Sequence, residues 1–448
     1  MHSAAAILSI GDELAFGQKL DTNSQWLADR LTSLGISVRE HVTVADDLSR
    51  HVETLERLAA CFPLVISTGG LGPTADDLTR TALSRLMREE LVEDRDALEH
   101  IRAMMEQRGR AMTDLQRSQA LRPRSAVVLN NPNGTAPGMW GSVSVTGGPH
   151  ERCDVFCLPG PPGEMKPMFE RLVIPRLRPV AGRVVRTRAL HCLGIGEGDL
   201  AKRLGALMSR ERNPLVGTTA SGGVVTIRIR YEGRSEPAEQ AMGETIALAR
   251  RAGDPFVFGE EDETIESSVL GLLRARRERL VVAESCTGGG LGELFSRTPG
   301  SSEVLVGGWI TYSNEMKSAQ LGVPEELIRR HGAVSEEVAT AMARGALRAA
   351  ESAGGAHHAL AVTGIAGPGG GSDAKPTGTV FIARASAGDG AAGGSVEVRR
   401  FLISGSRADV RDRSTKLALM MLRFHLLGLD VPRVLWQMEL DGRPFPVV

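Results

Sequence analysis

Between Ala4 and Ile10 the chain is apolar except for Ser9, and Gly11, Asp12 and Glu13 end the run at once. This pattern predicts a buried first strand. From about Ser24 the spacing changes: Trp26, Leu27, Leu31 and Leu34 fall on one helical face, and Gly35 stops it. Strands are expected at Ser37–Val44 and Leu64–Ser67. The second leads through TGGLGPTADD (Thr68 to Asp77) into a helix with Leu78, Ala82, Leu86 and Met87 at helical spacing. Such alternation predicts a mostly parallel sheet covered by helices.

A Pro- and Arg-rich stretch, Pro175 to Gly182, breaks the pattern. The following segment is short: a strand, a helix from about Gly198, a strand Val224–Arg230 and a helix from Pro237, together a small α+β module. An acidic linker, Gly259 to Glu263, precedes a helix carrying Ile265, Val269 and Leu272, which opens a second alternating region running to about Gly428. The tail beyond has no clear period, and the one low-complexity patch is Gly388 to Gly394. The expected architecture is therefore multidomain α/β. Two α/β sheet domains, 1–174 and 262–428, are joined by a small α+β connector, 180–257.

Length agrees, since 448 residues exceed one ordinary core and imply two to four domains. Lys plus Arg (53) nearly equals Asp plus Glu (54), so no global field draws the chain to nucleic acid or an anionic membrane, and neither is an expected partner. The five cysteines, Cys61, Cys153, Cys157, Cys192 and Cys286, are an odd number, which argues against a disulfide framework and for a cytoplasmic location. Cys153 and Cys157 are not a CxxC pair and are expected to alternate in and out of a strand. His357 and His358 have no second ligand pair at zinc spacing. There is no basic segment before Ala4, and no apolar run approaches the ~20 residues of a membrane-spanning helix. Only six of the basic residues are lysines, so a lysine inside a motif stands out. Its amine, unlike guanidinium, becomes neutral near pH 7 when buried.

Three motifs in the last region carry candidate chemistry. Strand Leu280–Ala283 runs into ESCTGGG, Glu284 to Gly290, placing Ser285 at a strand's carboxyl edge, where open α/β sheets bind ligands. The N–H groups of Gly288, Gly289 and Gly290 would suit an oxyanion or a phosphate. A second strand, Val304–Ile310, ends in TYSNEMK, and a desolvated Lys317 is one of few bases able to activate a serine without His or metal. A third strand, Ala359–Val362, ends in TGIAGPGGG, a possible anion cradle but no Walker loop. Arg407, in SGSRADVR, is placed to hold the same phosphate. On the residues alone the alternatives are a plain glycine-rich turn, a surface lysine, against which the scarcity of lysine speaks, and a solvated helix-start arginine.

In this order ESCTGG, Y-x-N-x-x-K, GAVS (Gly332 to Ser335), TGIAGPGG, KPTG and SGSR resemble the C-terminal domain of the CinA (competence/damage-inducible protein A) family, over about Glu263 to Leu427. The resemblance implies hydrolysis of the carboxamide of nicotinamide mononucleotide to nicotinate mononucleotide and ammonia, with no cofactor. It makes Ser285 the nucleophile and Lys317 the general base. Tyr312, Thr363 and Arg407 would contact substrate, with Gly288, Gly289, Gly364 and Gly367 completing the binding loops. Cys286 is the rival nucleophile, but the family pattern favours its neighbour.

The first segment is similar to the family's N-terminal domain, which shares its fold with molybdopterin-binding proteins. The residues that carry this are Gly11 to Leu27, Thr68 onward, NPNGTAPGM (Asn131 to Met139) and LPGPPGEM (Leu158 to Met165). Gly69, Gly70 and Gly72, with Asn131 and Gly134, would approach an anion, and Asp76 and Asp77 would bind a divalent metal or cap a helix. The resemblance implies metal-dependent cleavage of ADP-ribose to AMP and ribose phosphate. A protein that merely binds a nucleotide or pterin there, linked to competence or DNA damage, is the alternative. Where the family has a leucine pair after GDE, this chain reads Leu14, Ala15 and Phe16. The middle segment, with LGIGEGDL (Leu193 to Leu200), resembles the family's KH-like connector. It has no clear GXXG loop for RNA, so an interdomain or dimer-forming role is implied, with the protein acting on small nucleotides as a homodimer.

Overall fold

The computed structural model describes residues 1–145, 148–388, 394–430 and 433–444. Of the glycine-rich patch, 389–393 lie outside the described residues. The chain divides into two compact units, residues 1–186 with 231–241, and residues 187–230 with 242–448. The fold is α/β.

The first unit is built on a six-stranded sheet in the order Ser37–Val44, Ala4–Ile10, Leu64–Thr68, Arg152–Leu158, Gly138–Ser144, Val127–Leu129. Its first four strands pair in parallel and its last two are antiparallel. The first strand reads as a continuous apolar run because both of its faces are covered. Ala5 and Ile7 pack with Leu27, Leu31 and Phe169, while Ala6, Leu8 and Ile10 pack with Leu55, Leu58 and Leu83. The helix expected from Ser24 spans Thr22–Ser33, with Asp21 accepting from the Ser24 N–H as its cap. Cys153 and Cys157 do not alternate. Being four residues apart, they lie on the same side of strand Arg152–Leu158, and both are fully buried. All five cysteines are free thiols, and only Cys61 is exposed.

The connector is a four-stranded sheet, Leu215–Ser221, Val224–Arg234, Arg183–Leu193, Val257–Glu260, with helices Glu197–Leu204 and Ala238–Gly253. The segment expected as an acidic linker is partly strand. Gly259 and Glu260 pair with His191 and Leu190, since Phe256, Val257 and Phe258 ahead of them are buried and draw the chain into the sheet.

The last sheet repeats the first plan: Leu305–Ile310, Leu280–Glu284 and His358–Gly364 are parallel, and Thr379–Ser386 and Val396–Leu402 continue antiparallel. The aperiodic tail adds a sixth strand. Gln437 and Met438 pair with Phe401 and Arg400, and the Leu435 N–H reaches the Gly194 carbonyl at 2.7 Å. No helix of the described residues is long and apolar enough to cross a membrane.

At the edge of this sheet remote from Ser285, His358 is a buried member of a polar network. Its Nε2 lies 2.8 Å from Glu278, and its Nδ1 and the Nε2 of His425 each lie 3.1 Å from Ser386 Oγ. Burial lowers the affinity of both rings for a proton below the ordinary value of 6.5, with Arg384 opposing charge on each. The unfolded chain therefore takes up these protons first as pH falls, and the native state loses stability below about pH 6.5. The thermal midpoint is expected to drop between pH 7 and pH 5, and His358→Gln with His425→Gln to flatten that slope in a pH series of melting curves.

Candidate active site

Strand Leu280–Glu284 ends against its two parallel neighbours, and the turn after it is tied from both sides. The Ser285 N–H donates to Val362 O at 2.9 Å, and the Thr311 N–H to Glu284 O at 2.8 Å. The buried Glu284 carboxylate spans the turn, accepting from the N–H groups of Leu291 and Gly292 at 3.0 and 2.9 Å. Sequence reasoning passed over this residue, although a carboxylate just before a glycine turn and a helix start is a capping signal. Gly289 has φ 92°, and a Cβ there would lie 2.8 Å from the Ile310 side chain, so the tightness of the turn itself calls for glycine.

Lys317, on helix Asn314–Leu321, is brought to this turn. Its Nζ lies 3.1 Å from Ser285 Oγ, 3.0 Å from Thr311 O and 3.4 Å from Tyr312 O, and the residue is only 1% exposed. No carboxylate forms an ion pair with it among the described residues, and burial lowers its pKa. Nζ donates to all three oxygens, as an ammonium can, and loss of one proton would leave two donors for the carbonyls and a lone pair for the serine hydroxyl. Ser285 is itself mostly buried. Cys286 is buried too, and burial pushes its thiol up to about 12, so it holds no thiolate at neutral pH.

The expected oxyanion donors need revision. Gly288 N–H and Gly290 N–H are spent within the turn on Ser285 O and Thr287 O, at 3.1 and 3.2 Å. Among the described residues the N–H groups of Cys286, Thr287 and Gly289 make no backbone hydrogen bond. Of the other sequence candidates, Arg407, Tyr312 and Gly367 are bonded to one another. Arg407 is the first residue of helix Arg407–Leu426 and donates to Gly367 O at 2.8 Å and to Tyr312 Oη at 2.7 Å. Tyr312 is 57% exposed. Thr363 is buried and its hydroxyl donates to Ala333 O in GAVS, while Gly364 packs against Val380 and Cys286.

The first unit holds a second site, a cavity of about 380 Å³ lined in part by Gly69, Gly70, Gly72, Gly134, Asp76 and Asp77. Here a Cβ on Gly69 would meet Ile10 O at 2.2 Å, and one on Gly70 would meet Thr79 Oγ1 at 2.4 Å. The glycines thus allow the loop to fold on its own protein. Asn131 is fully buried and organises the neighbouring loop by donating to Ala136 O and Glu164. Asp77 accepts from the N–H groups of Gly72 and Thr74 and from the Thr74 hydroxyl, at 2.6–2.8 Å. Neither aspartate caps the helix, which starts at Thr79 after Leu78. Asp76 is fully exposed. Among the described residues no group of three or more His, Cys, Asp or Glu stands ready to hold a metal ion. Sequence reasoning missed Arg80, buried beneath the loop and donating to Leu71 O and Gly72 O, and it missed Arg108 and Gln119 on the cavity wall.

Comparison with known proteins finds three families in succession along the chain. Residues 6–179 match the probable molybdopterin binding domain, 187–259 the damage-inducible protein CinA KH domain, and 262–426 the CinA C-terminal domain. A putative competence-damage inducible protein of Caldicellulosiruptor bescii is 38% identical over 94% of this chain and 98% of its own. A CinA-like protein of Synechococcus sp. is 42% identical over 95% of this chain and 99% of its own. Among solved structures, the protein CinA of Thermoplasma acidophilum is 31% identical, covering 39% of this chain and 98% of its own, with a TM-score of 0.35. With relatives of this identity spanning nearly its whole length and all three domains in sequence, the chain belongs to the CinA family.

Proposed function

We propose that the C-terminal domain is a metal-free serine amidohydrolase that converts nicotinamide mononucleotide to nicotinate mononucleotide and ammonia. The observation that carries this reading is the buried Lys317 amine, held by two carbonyls with its Nζ 3.1 Å from Ser285 Oγ. Ser285 Oγ attacks the carboxamide carbon as its proton passes to Lys317 Nζ, and the oxyanion falls to the unspent N–H groups after Ser285. The Lys317 ammonium then protonates the departing amine, which leaves as ammonia. Water, deprotonated by Lys317, hydrolyses the ester and returns Ser285. Arg407, held by Gly367 O and Tyr312 Oη, supplies the cation for the phosphate.

A second activity, cleavage of ADP-ribose to AMP and ribose phosphate, is proposed for the N-terminal cavity. Glu13, Asp46, Asp76 and Glu164 line it against the single cation Arg108, so a bare pyrophosphate would meet a negative wall. A divalent cation carried with the substrate would neutralise it. Asp76 is open to such an ion, whereas the engaged oxygens of Asp77 do not fit one. The protein is read as a cytoplasmic homodimer acting on small nucleotides.

The test is ammonia release from nicotinamide mononucleotide by the full chain with a chelator present. Turnover is expected in the parent and, within about twofold, in Cys286→Ala, because a thiol held near 12 contributes no nucleophile. Loss of turnover in Cys286→Ala, with the melting temperature intact, would move the nucleophile to the cysteine. No turnover in the parent would overturn the reading.

A further inference from the structure

Gln119 is 1% exposed, and it lines the N-terminal cavity beside the glycine loop. Its Nε2 faces Leu71 O at 3.4 Å, an oxygen already accepting from Arg80, so the amide nitrogen must turn toward this carbonyl. The amide oxygen is thereby turned the other way, and it has no hydrogen-bond partner among the described residues. A buried acceptor left unpaired is costly, and native proteins keep few of them. This one sits in the wall of a cavity large enough for a small-molecule ligand.

The neighbours narrow what completes it. An acceptor answers only to an O–H or N–H donor, which rules out the phosphate oxygens themselves. Leu71, whose carbonyl the Gln119 amide faces, lies between Gly70 and Gly72 of the cavity-lining loop expected from the sequence to approach an anion, here the pyrophosphate of the proposed substrate. The nearest donors on a nucleotide held by that loop are the hydroxyls of the adjoining sugar. We propose that Gln119 is the specificity-determining residue of this cavity, its Oε1 accepting a hydrogen bond from a ribose hydroxyl next to the pyrophosphate. This rests on the nucleotide reading of the cavity given above. It makes the site selective for ribose-bearing pyrophosphates over pyrophosphate alone, because a site built to pair with a hydroxyl penalises ligands that lack one.

Calorimetric titration of the full chain with ADP-ribose, ADP and inorganic pyrophosphate, each added with a divalent cation, tests this, comparing the parent with Gln119→Met, which keeps the shape and removes the acceptor. ADP-ribose is expected to bind about 10-fold or more weakly to the variant, with pyrophosphate unchanged. A parallel loss for ADP places the hydroxyl on the adenosine ribose, and no loss for ADP places it on the distal ribose. Should Gln119→Met not fold, the parent itself decides: 2′,3′-dideoxy-ADP or an ADP-ribose deoxygenated on the distal sugar should bind about 10-fold more weakly than its hydroxylated counterpart. Equal affinity of parent and variant for ADP-ribose would overturn the inference and leave the nucleotide reading standing. An equal loss for pyrophosphate would reduce Gln119 to a support of the loop. A parent that binds none of these ligands would overturn the nucleotide reading as well.

Discussion

Ser285→Ala is expected to remove ammonia release from nicotinamide mononucleotide, by about 10⁴-fold or more in kcat. The substitution deletes the one oxygen that Lys317 Nζ approaches at 3.1 Å, and no second nucleophile stands ready, since the adjacent thiol is protonated. The backbone of the turn is held through Val362 O and the Glu284 carboxylate, not through the serine hydroxyl, so the fold should persist. Binding of the mononucleotide should survive too, because Arg407, Tyr312 and Gly367 remain. The check is a single-turnover assay alongside a binding titration. Unchanged turnover in Ser285→Ala would remove serine chemistry from the mechanism.

Lys317→Met is expected to lower kcat by about 10³-fold while raising the melting temperature at pH 7. The two effects share a cause. In the folded chain burial lowers the pKa of this amine below its ordinary value of 10.5. Between the lowered value and 10.5 the unfolded state binds the extra proton, so native stability increases with pH across that window and is penalised below it. Methionine carries no proton and removes the penalty. In the parent, activity should rise with pH through the depressed lysine value as the amine loses its proton. A Lys317→Met chain that kept its turnover, or a parent whose rate fell with rising pH over this range, would exclude Lys317 as the base.

The alternation of strand and helix was legible from the apolar spacing because both central sheets are covered on both faces, and Ala4–Ile10 and Leu280–Glu284 read as unbroken buried runs. Short strands at the edges were not. Gln437–Met438 has two residues in the sheet, too few for any period, and is placed by partners in Val396–Leu402 that lie far back in sequence. At the candidate site, Ser285 and Lys317 were visible as motif residues, but their 3.1 Å approach depends on two parallel strands lying side by side. The metal role expected of Asp77 met a related limit. Spacing shows which groups are available to a ligand, and it does not show that the loop's own N–H groups have already claimed a carboxylate. Gln119 and Arg80 carry no motif at all and emerge only from the way the chain folds back over the glycine loop.

The bonds that hold Arg407 bear on the thermodynamics of recognition. A free arginine side chain surrenders rotamer freedom when it closes on a phosphate, at about 0.5–1.5 kcal/mol for a side chain of this kind. Here the guanidinium is already fixed between Gly367 O and Tyr312 Oη before any ligand arrives. That entropy was given up when the chain folded, so on the proposed reading a phosphate would meet a fork already in place, and less of the enthalpy of its contacts would be offset by ordering the side chain.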